Sequence, residues 1–242
     1  MDVNRYLSQI VLKDIFPKGQ KIISESSIIV IGVGGTGSAI AEMLVRMGVG
    51  KVTIVDDDRV EISNLNRQSL YDEKDLGMEK VTAAKKHLEA INSDVEIVAV
   101  NKRLDHVNAR DYLEGNNVIM DGTDNYGSRG IINEYSISLE IPWVFSAVEG
   151  YYGYVKAVIP RRTSCLACIG YPLKGESIPC SQTGVLPSAV HTVSSFASTL
   201  ALKIILGMEV NGELIFIDAW NQSLQKMYLD INPECQVCGV KR

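Results

Sequence analysis

Apolar residues along the chain follow two spacings, and segments of the two kinds alternate through its first part. Short runs rich in β-branched residues predict strands at 27–31, 51–55, 95–100, 117–120 and 142–147. Between them, apolar residues at helical spacing predict helices at 36–47, 79–91 and 127–139. Strands that alternate with helices pair in parallel through right-handed crossovers. The pattern therefore predicts an α/β fold built on a doubly wound sheet.

After residue 148 the pattern changes. A run at 152–159 follows its predecessor across only a glycine-containing turn, which predicts an antiparallel hairpin. Residues 160–188 hold four of the seven prolines and three of the five cysteines and show little periodicity, as in a long loop. The remaining predicted elements are a helix at 189–206 and strands at 214–218 and 225–231. We expect a mostly parallel sheet with an antiparallel C-terminal extension.

The first predicted strand and the first predicted helix meet at the stretch GVGGTG. Gly32, Gly34 and Gly37 have the spacing that lets backbone N–H groups and a helix N-terminus meet a phosphate, and Gly35 widens the turn. Asp56, about 20 residues further on, ends the second strand, where an acid accepts hydrogen bonds from ribose hydroxyls. Glycines alone would also suit close packing of helix and strand. Together with the acid, they predict a nucleotide site in a Rossmann-like sheet, without choosing NAD or ATP.

Charged residues after the second strand favour a triphosphate. Arg67 and Lys80 could offset its charge as pyrophosphate leaves, although spacing alone favours structural roles on a turn and a solvated helix face. DGTDN follows the fourth strand and emerges beside the crevice, where Asp124 could hold Mg²⁺ or cap the next helix. The predicted nucleotide-contacting set is completed by their polar neighbours Asp58, Asn64, Gln68 and Asn125.

Composition and charge exclude several classes of protein. The chain is 46% hydrophobic and 22% charged, as in ordinary globular proteins, and its net charge of -5 offers no basic excess for nucleic acid. The apolar segment 193–206 is interrupted by Lys203 and is shorter than the roughly 20 residues that span a bilayer. The N-terminus lacks the pattern of a signal peptide. We expect a cytoplasmic protein with neither membrane nor nucleic acid as a partner.

The cysteines form two C-x-x-C pairs with one left over. Cys165 and Cys168 in CLACIG and Cys235 and Cys238 in CQVCG each have a glycine soon after the second cysteine. Two such pairs predict a closed, structural Zn²⁺ site that clips the long loop to the C-terminus, rather than a redox pair. Cys180 remains, and the sequence leaves open whether it is a functional thiol or an incidental one.

Taken together, these motifs resemble the ubiquitin-activating-like adenylyltransferases that serve molybdopterin and thiamine synthesis and the sulfuration of proteins or tRNA. The matching stretches are GVGGTG, DDDRVEISNLNRQ, the lysine of DLGMEK, DGTDN and the C-x-x-C pairs, over residues 5–239. The resemblance implies that ATP binds on the glycine turn, with Asp56 on the ribose. It also implies that Arg67 and Lys80 contact the phosphates and that Asp124 holds Mg²⁺.

The resemblance further implies the substrate, which is the C-terminal glycine carboxylate of a small ubiquitin-like sulfur-carrier protein ending in Gly-Gly. That carboxylate would be joined to AMP with release of pyrophosphate, by a homodimer. Relatives sometimes carry a cysteine at the place of Cys180 that forms a thioester or acyl persulfide. The family pattern R-Y-x-R-Q reads RYLSQ here, so Ser8 replaces an arginine that resembles a finger reaching the partner's ATP site.

These expectations describe a single adenylation domain over residues 1–242. It would comprise a helical segment at 1–24, a nucleotide-binding half at 25–148 and a carrier-binding and zinc half at 149–242. Three alternatives stay open: adenylation of a peptide C-terminus in natural-product synthesis, an NAD-dependent oxidoreductase, and a catalytically weakened nucleotide-binding scaffold. The oxidoreductase leaves the phosphate-binding candidates and the cysteine pairs unexplained, and Ser8 is the feature that supports the scaffold.

Overall fold

The computed structural model describes residues 3–175 and 184–239, and one sheet forms its centre. Its strands are β1 (Ser27–Ile31), β2 (Lys51–Val55), β3 (Glu96–Val100), β4 (Val118–Asp121), β5 (Trp143–Glu149), β6 (Tyr152–Val158), β7 (Leu214–Asp218) and β8 (Ser223–Met227). Within the described ranges the sheet has eight strands in the order β3-β2-β1-β4-β5-β6-β7-β8. Pairing is parallel from β3 to β5 and antiparallel from β5 to β8. The predicted fold class is confirmed.

Helices cover both faces of the sheet. They are α1 (Leu7–Ile10), α2 (Gly19–Ser24), α3 (Gly35–Met47), α4 (Lys80–Ile91), α5 (Ala109–Leu113), α6 (Tyr126–Leu139) and α7 (Pro187–Ile205). Short 3₁₀ turns lie at Val3–Tyr6, Ile62–Asn64 and Glu73–Asp75. Helices α3, α4 and α7 pack on one face, whereas α5 and α6 lie on the other. The strand run of β1 is continuously apolar because both of its faces are buried.

Alternate residues of β1 divide between two hydrophobic cores. Ile28 and Val30 belong to the core beneath α3, α4 and α7. Ile29 and Ile31 belong to the second core, which contains Trp143 and also the cysteine pairs. This two-sided packing follows from the period of two along a strand.

Two sequence expectations fail at the edges of the fold. The last strand is Ser223–Met227 rather than 225–231, and all five of its residues are exposed, so alternating burial gave no signal for its position. Helix α5 was not predicted, because its five residues are too few to show a helical period. The other predicted helices and strands agree with the structure within two residues at each end.

The long loop predicted at 160–188 is described over 160–175 and 184–186. Those parts consist of turns and bends, with an isolated bridge between Gly150 and Val185. Cys180 lies outside the described residues. Among the helices that the structure describes, none is both long enough and apolar enough to pass through a lipid bilayer.

Candidate functional site

A cleft of about 690 Å³ opens at the carboxyl ends of β1, β2 and β4. Here the chain proceeds from β1 toward β2 and β3 on one side and from β4 toward β5 on the other, which makes the cleft a topological switch point. The predicted nucleotide-contacting residues that line it are Gly32, Gly34, Gly35, Asp56, Asp58, Asn64, Arg67, Gln68, Lys80, Asp124 and Asn125. Folding therefore brings together residues from four separate motifs.

Some glycines of the turn are needed for close backbone packing, and others leave room for a ligand in the cleft. Gly32 has a φ of 81°, and a Cβ there would come within 2.8 Å of the Gly122 carbonyl oxygen. A Cβ on Gly37 would overlap the Gly32 carbonyl, so Gly37 serves the packing of the turn. Gly34 is the N-cap of α3, and its Cβ would meet only the Gln68 Nε2 atom, at 3.8 Å. Gly34 thus keeps the floor of the cleft open, whereas a Cβ on Gly35 would come within 3.3 Å of the Val190 side chain.

Asp56 is held in place by backbone donors. Its Oδ2 accepts from the Val33 N–H at 2.8 Å and its Oδ1 from the Asp58 N–H at 2.9 Å. Burial raises the pKa of Asp56, while the Lys80 ammonium and the two backbone donors act in the opposite direction. Each carboxylate oxygen retains accepting capacity, which suits hydrogen bonds from a pair of ribose hydroxyls.

Lys80 begins α4 and is buried, with its side chain 7% exposed. Its Nζ lies 2.8 Å from Asp58 Oδ2, and the Asp58 side chain is 67% exposed. The interpretation of Lys80 as a solvated helix residue is therefore wrong. The ammonium instead forms part of the cleft wall, and its counter-charge faces water, where an incoming anion can compete for it.

Arg67 fits both the structural role and the phosphate-binding role considered for it. Its Nη1 donates to the Ser63 carbonyl at 2.8 Å and to Asn66 Oδ1 at 3.1 Å, so it stabilises the 3₁₀ turn at Ile62–Asn64. It also lines the cleft and is half-buried there. A guanidinium at the cleft wall whose bonds within the described residues are local can turn toward a phosphate.

Asn64 and Gln68 place polar atoms at the back of the cleft. The Asn64 side chain accepts from the Glu61 N–H at 3.1 Å and shares a capping box with it. Gln68 is 3% exposed, and its Oε1 has no hydrogen-bond partner among residues 3–175 and 184–239. A buried amide oxygen without a partner is costly, and a ligand donor in the cleft would satisfy it.

The DGTDN loop is anchored by a buried ion pair. Arg129 Nε lies 3.0 Å from Asp121 Oδ2, and Arg129 also donates to the Thr123 carbonyl at 2.6 Å and to the Tyr171 hydroxyl at 2.7 Å. Burial raises the pKa of Asp121, and the Arg129 charge opposes this. These bonds tie the loop at the end of β4 to α6 and to Tyr171, and Thr123, Arg129 and Tyr171 all line the cleft.

Asp124 is not the N-cap of α6, which corrects one of its two interpretations. Asn125 occupies that position, and its Oδ1 accepts from the Ser128 N–H at 2.8 Å. The Asp124 side chain is exposed and lines the cleft. A hard carboxylate oxygen at this place fits the ligand preference of Mg²⁺.

Two cations in the cleft were missed by the sequence argument. Lys102 and Arg103 begin two residues after the end of β3 and line the cleft beside Leu104, which is buried. Their signal in the sequence was the position of two consecutive basic residues at the carboxyl end of a strand. Because neighbouring strand ends share one edge of a parallel sheet, such residues belong on the list of candidates.

The four predicted zinc ligands meet in space. The Sγ–Sγ distances are 3.9 Å for Cys165 to Cys168, 3.7 Å for Cys165 to Cys235 and 3.2 Å for Cys168 to Cys238. A tetrahedron of sulfurs around Zn²⁺ with bonds of about 2.3 Å has edges of about 3.8 Å. All four ligand atoms lie within 4.8 Å of one another. The donor set and its spacing therefore fit the ion.

The ThiF family model matches residues 6–237 of the chain. A sulfur carrier protein adenylyltransferase from Thermus thermophilus is 35% identical over 98% of this chain and 91% of its own length. A sulfur carrier protein ThiS adenylyltransferase from Bacillus subtilis is 37% identical over 98% of this chain and 72% of its own length. A molybdopterin-synthase adenylyltransferase from Salmonella typhimurium is 30% identical over 97% and 96%, respectively.

A solved structure of MccB from E. coli has a TM-score of 0.81 over 93% of this chain and 68% of that chain. Its sequence identity is 17%, so the likeness supports the fold alone. The family match covers nearly all of the chain and agrees with the motifs, which confirms the resemblance expected from the sequence. The chain belongs to the ThiF family.

Proposed function

We propose that the chain is an ATP-dependent adenylyltransferase that activates the C-terminal glycine carboxylate of a small ubiquitin-like sulfur-carrier protein. The observation that carries the proposal is the meeting, in one cleft, of an open glycine turn, a ribose-type acid and a buried lysine. Relatives with 30% identity or more carry the name adenylyltransferase. A redox dinucleotide would leave the buried Lys80 without a function.

In this proposal each side chain of the cleft has a role that follows from its chemistry. Asp56 accepts hydrogen bonds from the ribose, and Gln68 Oε1 accepts from a ligand donor. Lys80 and Arg67 offset charge on the phosphates, and Asp124 would hold Mg²⁺ against them. The ion would neutralise part of the phosphate charge when bound.

The reaction asks little acid–base chemistry of the protein. An ionised carboxylate is already a nucleophile, so it attacks the α-phosphorus without a general base. The bond from that phosphorus to the bridging oxygen breaks, pyrophosphate leaves, and the acyl-adenylate remains. Positioning and charge stabilisation therefore supply the catalysis, which matches a cleft with fixed cations. The histidines of the chain are not needed.

The carrier would approach along the antiparallel part of the sheet. A row of aromatic rings begins in the cleft at Tyr154 and continues through Phe216 to Tyr152, with centroid distances of 5.3 and 5.7 Å. Tyr152 is 44% exposed, and Trp220 nearby is 63% exposed. Exposed apolar rows that lead into a cleft are typical of protein-binding surfaces. This placement supports the second half of the chain as the carrier-binding half.

A homodimer is part of the same proposal. The N-terminal segment exposes Val3, Leu7, Val11 and Phe16, each more than half accessible. Arg5 donates to the Ile91 carbonyl at 3.0 Å, at the end of α4 opposite to Lys80, and so points away from the cleft of its own chain. Whether this segment reaches a second cleft is tested by sedimentation of Leu7→Asp, which we expect to shift the protein toward monomers. A cytoplasmic location also remains part of the proposal.

The proposal is tested first by calorimetry, which compares MgATP with NAD on the wild type, Asp56→Ala and Arg67→Ala. We expect MgATP to bind and both variants to weaken it, with Lys74→Ala as an exposed control outside the cleft. ATP–pyrophosphate exchange with a candidate carrier follows. Tight NAD binding that is indifferent to Arg67 would instead support an oxidoreductase. MgATP binding without exchange on any carrier or peptide would support the weakened scaffold.

A further inference from the structure

Lys156 is a fully buried lysine in the interior of β6. Its Nζ donates to the carbonyl oxygen of Gly212. A carbonyl oxygen carries no net charge, so this bond alone does not balance a buried ammonium. The position lies outside the nucleotide cleft, and the proposed adenylation does not use it. The surroundings of the ammonium therefore need another explanation.

The side chain of Lys156 shares a face of the sheet with the cysteine cluster. Its neighbours across the strands are Phe145 and Leu214. Both belong to the second core, which also contains Cys165 and Cys168. Residues that pair directly across strands project to the same face. The ammonium is thus directed to the side of the sheet on which the cysteines lie.

Gly212, whose carbonyl accepts from Lys156, packs against the loop that carries the first cysteine pair. Gly212 has a φ of 69°, and a Cβ there would overlap the side chain of Thr163. Thr163 donates to the Ala157 carbonyl at 3.3 Å and precedes Cys165 by two residues. The carbonyl that accepts from Lys156 is therefore packed against the start of the cysteine loop.

Charge interactions agree with this placement. Burial lowers the pKa of Lys156 to about 8, while the charges of Cys168, Cys165 and Glu213 raise it. The attraction to both sulfurs of the CLACIG pair is what a cation close to two thiolates would feel.

A zinc ion bound by four thiolates has a net charge of -2 and lies here in a largely buried place. Such a centre needs compensating positive charge or N–H donors around it. We propose that Lys156 is the built-in counter-cation of a zinc tetrathiolate formed by Cys165, Cys168, Cys235 and Cys238. This inference rests on the zinc site proposed from the same cysteines. It assigns Lys156 as a positioning residue that stabilises the metal-loaded form.

The test compares Lys156→Met and Lys156→Gln with the wild type at pH 7. Methionine keeps much of the apolar length and removes both charge and donor, whereas glutamine keeps a donor for the Gly212 carbonyl. Zinc release to a chromophoric chelator is measured for each protein. We expect both variants to release zinc roughly tenfold faster or more, as for other groups that surround metal ligands. Lys226→Gln is the matched control, since Lys226 is exposed on the same sheet and pairs with Ile215.

Cobalt substitution supplies a readout that a purely structural role would not change. Without the nearby cation, electrons on the sulfurs are held less tightly, so we expect the sulfur-to-cobalt charge-transfer band to move to longer wavelength in both variants. If glutamine restores the wild-type release rate and band, the lysine serves only as a hydrogen-bond donor and the proposal is wrong. Thermal melting shows which variants fold. If Lys156→Met does not fold, the zinc-release rate and the cobalt band of Lys156→Gln decide the proposal.

Failure of the inference and failure of the zinc site are distinguishable. If the wild-type protein holds one zinc ion per chain and both variants release zinc at the same rate as the wild type, the counter-cation proposal alone is overturned. A folded wild-type protein that binds neither zinc nor cobalt would overturn the zinc site and the counter-cation together. Neither result would affect the nucleotide cleft, whose test is the binding of MgATP.

Discussion

Lys80 in the cleft and Lys156 beneath the cysteines are both buried, and their surroundings differ. Lys80 pairs with Asp58, a carboxylate that is 67% exposed. Lys156 donates to the neutral carbonyl of Gly212 and lies on the same face of the sheet as the four cysteines. In the cleft, the partner of the lysine faces water and can be replaced by an arriving anion. At the cysteines, the compensating charge is sealed into the fold.

This contrast matches two kinds of binding site, one for a ligand that is exchanged and one for a ligand that stays bound. A site for a substrate that arrives and leaves keeps its charges paired but accessible. A site for a permanent metal uses groups that need never meet water. On the proposed assignments, the parallel part of this sheet holds the first kind of site, and the cysteines beside the antiparallel part would hold the second.

The largest effect is expected from removing a proposed zinc ligand. Cys168→Ser should release the metal and lower the melting temperature by roughly 10 °C or more, because metal binding is coupled to folding of the loop and the C-terminus. Metal analysis and calorimetric melting measure both changes. Cys180→Ser is the control thiol and should keep its zinc. Full zinc retention in Cys168→Ser would contradict the four-cysteine site.

The next largest effect concerns the ion pair that anchors DGTDN. Arg129→Met should lower the free energy of unfolding by about 3–5 kcal/mol, because it leaves the fully buried Asp121 carboxylate without its cation. Urea denaturation measures the change. Arg110→Met, which breaks the exposed pair with Glu114, should cost about 0.5 kcal/mol or less. Equal costs for the two variants would show that the buried pair does not stabilise the loop.

Lys80→Met should reduce ATP–pyrophosphate exchange by about 10²–10³-fold. Its effect on unfolding should stay under about 1 kcal/mol, since the abandoned Asp58 faces water. Lys85→Met on the same helix is the control, because Lys85 lies outside the cleft lining and pairs with the exposed Glu89. An unchanged exchange rate would remove Lys80 from the proposed chemistry.

The smallest effect is expected from an ion pair between His87 and Asp75, which lies in the segment between β2 and α4. His87 Nε2 lies 2.7 Å from the buried Asp75 carboxylate. Burial raises the pKa of Asp75, but bonds from the Asp72 N–H and from His87 outweigh it and lower the pKa overall. A carboxylate with a lowered pKa stabilises the fold at pH values above its unfolded pKa, and this stability is lost as pH falls through the folded pKa.

His87→Ala should therefore cost about 1 kcal/mol at pH 6, and its difference from the wild type should shrink as the pH falls below about 4. Urea denaturation across this range measures the gap. His106→Ala is the matched control, and we expect its effect to be smaller and without the same pH trend. A constant gap between pH 6 and pH 3 would exclude Asp75 as the partner that matters.

Local pattern predicted most of the fold for a definite reason. The strands of the parallel sheet are buried on both faces, so they appear as short apolar runs, and the helices between them have one apolar stripe. The edge strand β8 lacks any buried face, and the prediction there was wrong. Gly32, Asp56 and Asp124 were found because each lies shortly after a strand, and parallel strand ends converge on one edge. Arg67 and Lys80 were instead proposed from the charge of a triphosphate and from the family resemblance.

The sequence by itself determined the alternation of strands and helices, the glycine turn with its acid, and the two cysteine pairs, because each is a short-range spacing. It did not determine the burial of Lys156. The stretch YGYVKAV is as typical of a strand with one solvent-exposed face as of a strand with both faces buried. Only the tertiary structure decided this, by laying the cysteine loop and the C-terminus over that face. The pair of Cys165 with Cys235 joins positions 70 residues apart. Contacts of that range depend on packing of the whole chain, which no local period encodes.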